Sequence, residues 1–65
     1  MVIVSLDIDG VVHSAEISPE TNTFLQDGAR LRQRPVQFYL YQVVKEYGAL
    51  TEEKILTFMD EKWIL

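Results

Sequence analysis

No cysteine occurs in this chain of 65 residues, which excludes disulfides and thiolate metal sites and leaves the redox compartment open. His13 is the sole histidine, so a zinc site would need carboxylates or a second subunit. No cofactor or metal is expected. No apolar run approaches the roughly 20 residues that a membrane span needs. The N-terminus alternates instead of opening on a basic region and an apolar block, so no leader is expected and the expected location is the cytoplasm. The first 29 residues hold five acids and neither Lys nor Arg. With a formal net charge of −4, bulk binding to nucleic acid or to an anionic membrane is disfavoured.

What is present is one small domain's worth of chain, 48% hydrophobic, a globular composition. A domain of this size buries only about 60% of the surface its unfolded chain exposes. Disulfides, metals and partner chains are the usual supplements to so small a core. With the first two set aside, self-association is expected.

Two Asp-Gly pairs, Asp9-Gly10 and Asp27-Gly28, each sit between runs of alternating polarity. That is the sequence signal of a tight β-hairpin. A two-residue turn at Asp9-Gly10 sets Ile8 opposite Val11, Leu6 opposite His13, Val4 opposite Ala15 and Val2 opposite Ile17. One register then sorts both strands: an apolar face interrupted only by His13, and a second face of Ile3, Ser5, Asp7, Val12, Ser14 and Glu16. The second pair predicts a hairpin over 22–34, with Phe24, Ala29 and Leu31 on the apolar face. Arg30, Arg32 and Arg34 then form one polar stripe near Glu16. The rival reading of this segment is a short helix, capped by Ser18-Pro19 and stopped at Gly28.

Pro35 closes the strand region and can open a helix over 36–47, which Gly48 ends as a left-handed cap. Thr51 caps a second helix over 52–63, with Glu52 and Glu53 where the helix dipole favours negative charge. Leu50 and Ile55 have hydrophobic-staple spacing across that cap. Ile55, Leu56, Phe58, Met59 and Trp63 form its apolar stripe, and Ile64 and Leu65 follow without a polar tail. In the 36–47 helix eight of twelve residues are apolar or aromatic, so it should be covered on more than one side. The expected fold is α+β: a small antiparallel meander, hairpin 2–17 and second hairpin 22–34, packed on a C-terminal helical hairpin.

The segment from Val2 to Val12, an apolar strand followed by Asp7-Ile8-Asp9-Gly10-Val11, resembles the first motif of the haloacid-dehalogenase-like phosphohydrolases. In that family the first aspartate attacks phosphorus and the second acts as acid/base beside magnesium, so the resemblance implies those roles for Asp7 and Asp9. It covers about a sixth of the chain. The family sets its further Ser or Thr, lysine and acidic pair on a parallel doubly wound sheet, whose long crossovers do not fit in this length. Lys54 and Asp60-Glu61 lie together on one predicted helix instead. Asp9-Gly10 is therefore read as a turn. The two predicted helices and their short connection also resemble the opening of a winged helix or helix-turn-helix. The recognition helix of such a motif would have to come from elsewhere.

Three functions follow in order. The first is a small non-enzymatic protein–protein interaction module, an adaptor, regulator or inhibitor, forming a homodimer or higher oligomer. In character it is like the tiny acidic proteins of phages and mobile elements, by analogy alone. Its interface would use Phe38, Tyr39, Tyr41, Tyr47 and Trp63, since tyrosine and tryptophan suit interface cores; the plain alternative is an intramolecular core. The second is a nucleic-acid-binding or transcription-linked module using Arg30, Arg32 and Arg34, which could equally hold an acidic partner or form a solvated face. The third is a metal-dependent phosphohydrolase-like site at Asp7 and Asp9. His13 reads as a half-buried core residue rather than a pH switch.

Overall fold

A computed structural model describes residues 1–63; Ile64 and Leu65 lie outside the described residues. Strands β1 (Val2–Ile8) and β2 (Val11–Ile17) form an antiparallel hairpin in the register that the alternation requires, Val2 opposite Ile17 through Ile8 opposite Val11. Asp9 and Gly10 both take positive φ, 53° and 83°, as a two-residue type I′ turn demands. The Gly10 N–H donates to Asp7 Oδ1 at 2.9 Å and braces the turn. Val4 and Ile17 are buried, with Val2, Leu6 and Ala15 packed against the same core, while Ile3, Ser5, Asp7, Val12, Ser14 and Glu16 all face outward.

The hairpin expected over 22–34 is not formed. Pro19–Leu31 is one helix, α1. Its start combines several local preferences. The Ser18 side chain accepts the Thr21 N–H at 3.1 Å, Pro19 occupies the first turn where its missing N–H costs nothing, and Glu20 faces the positive end of the dipole. Thr21, Leu25, Gly28 and Ala29 then form one buried stripe at helical spacing. The helix runs straight through Asp27-Gly28, and neither residue has positive φ. It ends four residues later than a glycine cap at residue 28 would place it. The Gln33 N–H donates to the Arg30 carbonyl and the Arg34 N–H to the Ala29 carbonyl, with Gln33 itself at φ 58°. This is a Schellman closure built on a glutamine where glycine is usual, so composition does not announce it.

Helix α2 (Val36–Tyr47) follows Pro35 and ends at Gly48, whose φ of 84° lets its N–H reach the Val44 carbonyl at 2.8 Å. Helix α3 (Glu52–Lys62) is capped by Thr51, which accepts the Lys54 N–H. Leu50 and Ile55 are both buried, as a staple requires. α2 packs against β1, α1 and α3, and α3 also touches β2 and α1. Much of the near-continuous apolar surface of α2 is thus covered from within the chain, while Phe38 and Tyr41 stay partly exposed. The most deeply buried side chains of the core are Ile17, Leu25, Leu40, Val43, Ile55 and Phe58. The class is α+β, a two-stranded hairpin on three helices. Among the described residues no helix is long and apolar enough to cross a membrane.

One long-range polar contact ties the two ends of this arrangement. Glu52, in the first turn of α3, accepts the backbone N–H of Ser18 at 2.8 Å, at the point where β2 becomes α1. That hydrogen bond, seconded by the Thr21 hydroxyl, holds the Glu52 carboxyl below its ordinary value of 4.5. A depressed folded value means that the stabilisation is complete above about 4.5 and is lost as pH falls through the lower folded value. Glu52→Gln should therefore melt below the wild type at neutral pH, and the gap should close well below pH 4.5. Thermal unfolding followed by circular dichroism at the two pH values checks this; a gap that persists in acid would assign the loss to something other than the carboxylate.

Candidate functional site

Gly28 of α1 meets the ring of Trp63, which follows α3. A Cβ at residue 28 would overlap Trp63 ring atoms Cζ3 and Cε3. Glycine is required here for close approach, not for backbone freedom. The indole stands edge-on to Tyr39, with centroids 5.0 Å apart and planes at 89°, and at 72° to Phe58, 6.1 Å away. The Arg32 guanidinium lies 4.5 Å from the ring centroid, and Arg32 Nη1 and Nη2 donate to the carbonyls of Gly28 and Trp63 at 3.1 and 3.3 Å. One arginine thereby caps the end of α1, caps the end of α3 and covers the aromatic ring between them.

Beside this junction an open groove of about 460 Å³ runs between the two helices. Gly28, Met59 and Trp63 form its floor, and Phe24, Leu31 and Leu56 stand along its sides. Those three side chains are exposed: Leu31 by 81%, Phe24 by 70% and Leu56 by 43%. Asp27, Arg32 and Asp60 supply the polar margin. Phe24 and Leu31 lie seven residues apart on a stripe with Glu20 and Asp27, next to the buried stripe of α1. A second cleft, polar and shallower, lies along β1, where Gln37 donates to the Ser5 carbonyl at 3.3 Å.

The aromatic side chains expected at an interface are divided by the fold. Tyr39 is buried, and Trp63 is the half-buried joint just described. Tyr47 clamps α2 to α3 by donating to Glu61 Oε1, and that hydrogen bond, with some desolvation and the acid's charge, pushes its phenol up to about 12. The Glu46–Lys62 pair at 3.1 Å lies on the same seam. Phe38 and Tyr41 are partly exposed, each with a cation of its own chain over the ring: Arg34 at 4.6 Å and Lys45 at 5.8 Å. Among the described residues Phe24 has no such cover.

The arginine stripe assumed a strand, and residues two apart on a helix do not share a face. Arg30 pairs with Asp27 at 2.9 Å rather than lying near Glu16, Arg32 caps the α1–α3 junction and Arg34 covers Phe38. Asp7 and Asp9 both serve the hairpin turn, and His13 is half-buried opposite Leu6. Among the described residues no three His, Asp or Glu side chains gather as metal ligands. Phe24, Leu31, Leu56 and Met59 did not stand out as a site in the sequence. The available signal was the helical spacing of Glu20, Phe24, Asp27 and Leu31, visible only once the segment is read as a helix.

Gly28→Ala sets two effects against each other. Alanine favours a helix interior over glycine by about 1 kcal/mol. Displacing a packed ring should cost about 1–3 kcal/mol. The ring is held by Tyr39, Phe58 and Arg32, so the second effect should prevail and the variant should be less stable in urea, with the fluorescence of the single tryptophan shifted to the red. A more stable variant with unchanged emission would show that the ring yields freely. No family model, curated protein or solved structure matches this chain.

Proposed function

We propose that this chain is a small non-enzymatic protein–protein interaction module, an adaptor, regulator or inhibitor, and that it works through the α1–α3 groove. The observation that supports this reading is the contiguity of Phe24, Leu31 and Leu56 around a rigid aromatic floor. Single exposed apolar side chains are ordinary on any surface, but a contiguous apolar patch rimmed by polar residues marks a contact site. Phe24 and Leu31 contribute little to the core in their present exposure, so stability of the isolated chain does not account for them. The floor is built from residues whose positions are fixed by packing, which lowers the ordering cost of binding.

Position-specific photo-crosslinking tests the reading in cells of the native host. A crosslinking side chain in place of Leu31 should capture one discrete protein, whether another protein or the chain itself, and one in place of Lys45 on α2 should not. Adding Phe24→Asp should reduce the yield from position 31 by at least tenfold while the circular dichroism spectrum is retained. Equal capture from both positions, or none from position 31, would contradict the reading.

A further inference from the structure

We infer that the occupant of the groove is a second copy of this chain, packed with its α1 antiparallel to the first about a twofold axis near Asp27-Gly28. This rests on the reading of the groove as an interaction surface and names its partner. Three features of α1 carry it.

The first is the symmetry of the stripe. Phe24 and Leu31 lie at nearly equal distances on either side of Asp27-Gly28, together spanning about 10 Å at the ordinary helical rise. A twofold axis at that midpoint exchanges them. Phe24 of each chain then meets Leu31 of the other and enters the space between Leu31, Leu56 and Trp63. An isologous contact needs such a self-complementary patch. The groove volume, about 460 Å³, admits a phenyl ring.

The second is charge. Glu20 occupies the N-terminal end of the exposed stripe, whereas Arg34 follows directly after the C-terminal end of the helix. Antiparallel packing places the acidic end of one copy beside the basic end of the other and aligns the helix dipoles favourably. A parallel arrangement would bring like charges together.

The third is that the one charge forced close to the axis is already compensated. Asp27 is paired with Arg30 of its own chain at 2.9 Å, so two copies of Asp27 can approach without a bare like-charge contact. A basic peptide on the groove would have to compete with Arg30 for Asp27.

Sedimentation velocity over the micromolar range tests this, with the chain's lack of cysteine making a second assay available. The wild type should sediment as a dimer, and Phe24→Asp should weaken the dimer by at least about 30-fold, as expected for an aromatic anchor. Phe24 is largely exposed, so its replacement leaves the fold intact, which circular dichroism verifies. Under mild oxidant Asp27→Cys should form a covalent dimer far faster than Lys45→Cys. Glu20→Lys should weaken the dimer and Glu20→Lys with Arg34→Glu should restore it. A monomer throughout, a dimer indifferent to Phe24→Asp, equal crosslinking of the two cysteine variants, or no recovery in the charge exchange would each overturn the inference. A monomer whose position 31 still captures a different protein would overturn the second copy alone and leave the groove's role standing.

Discussion

The seating of the Trp63 ring on Gly28 governs the helical half of this molecule. It determines how closely α1 can approach α3, because any side chain at residue 28 would occupy the place of the indole. It also brings Trp63 against Tyr39 of α2 and Phe58 of α3, so one ring joins all three helices. Arg32 then closes the junction from above, using its charge on two helix ends and its plane on the ring. The floor of the groove is the outer surface of this same joint. Structure and proposed function share one cause: a glycine that permits close packing beneath, and exposed Phe24, Leu31 and Leu56 beside it.

The distribution of apolar surface is the second organising fact. α2 is apolar on almost every side and is satisfied by β1, α1 and α3. Its two partly exposed rings are screened by Arg34 and Lys45. α1 has a buried stripe that the fold uses and, beside it, two apolar side chains, Phe24 and Leu31, turned to solvent. A chain of 65 residues has little apolar surface to spare. Three large apolar side chains left together outside the core are therefore informative in a way that the scattered Ile3 and Val12 are not.

The hairpin was fully legible because period-two alternation and an Asp-Gly turn agree with each other, residue by residue, from Val2 to Ile17. The α2 and α3 boundaries were legible from Pro35, Gly48 and Thr51, each with its own capping chemistry. α1 was not. Asp27-Gly28 has the form of a turn, and its glycine serves a ring 35 positions further along the chain, which no local pattern can reveal. The helix end at Gln33 lacks the usual glycine. The rival helical reading had the start right, at Ser18-Pro19, and the stop wrong, at Gly28. The arginines then changed meaning with the element that carries them, from a stripe to three separate caps and covers. Of the aromatic residues that suit an interface by sequence, Trp63 lies at the groove, whereas the alternation places Phe24 and Leu31, which border it, on the inside of a sheet.

The seating of Trp63 on Gly28 can be measured directly by nuclear magnetic resonance. A proton packed against an indole is displaced in shift by the ring current. The Gly28 α-proton resonances should lie well away from ordinary helical shifts, with cross-relaxation to the Trp63 ring protons and loss of both effects in Trp63→Leu. Gly28 α-protons at ordinary helical shifts, with no cross-relaxation to the indole, would contradict it.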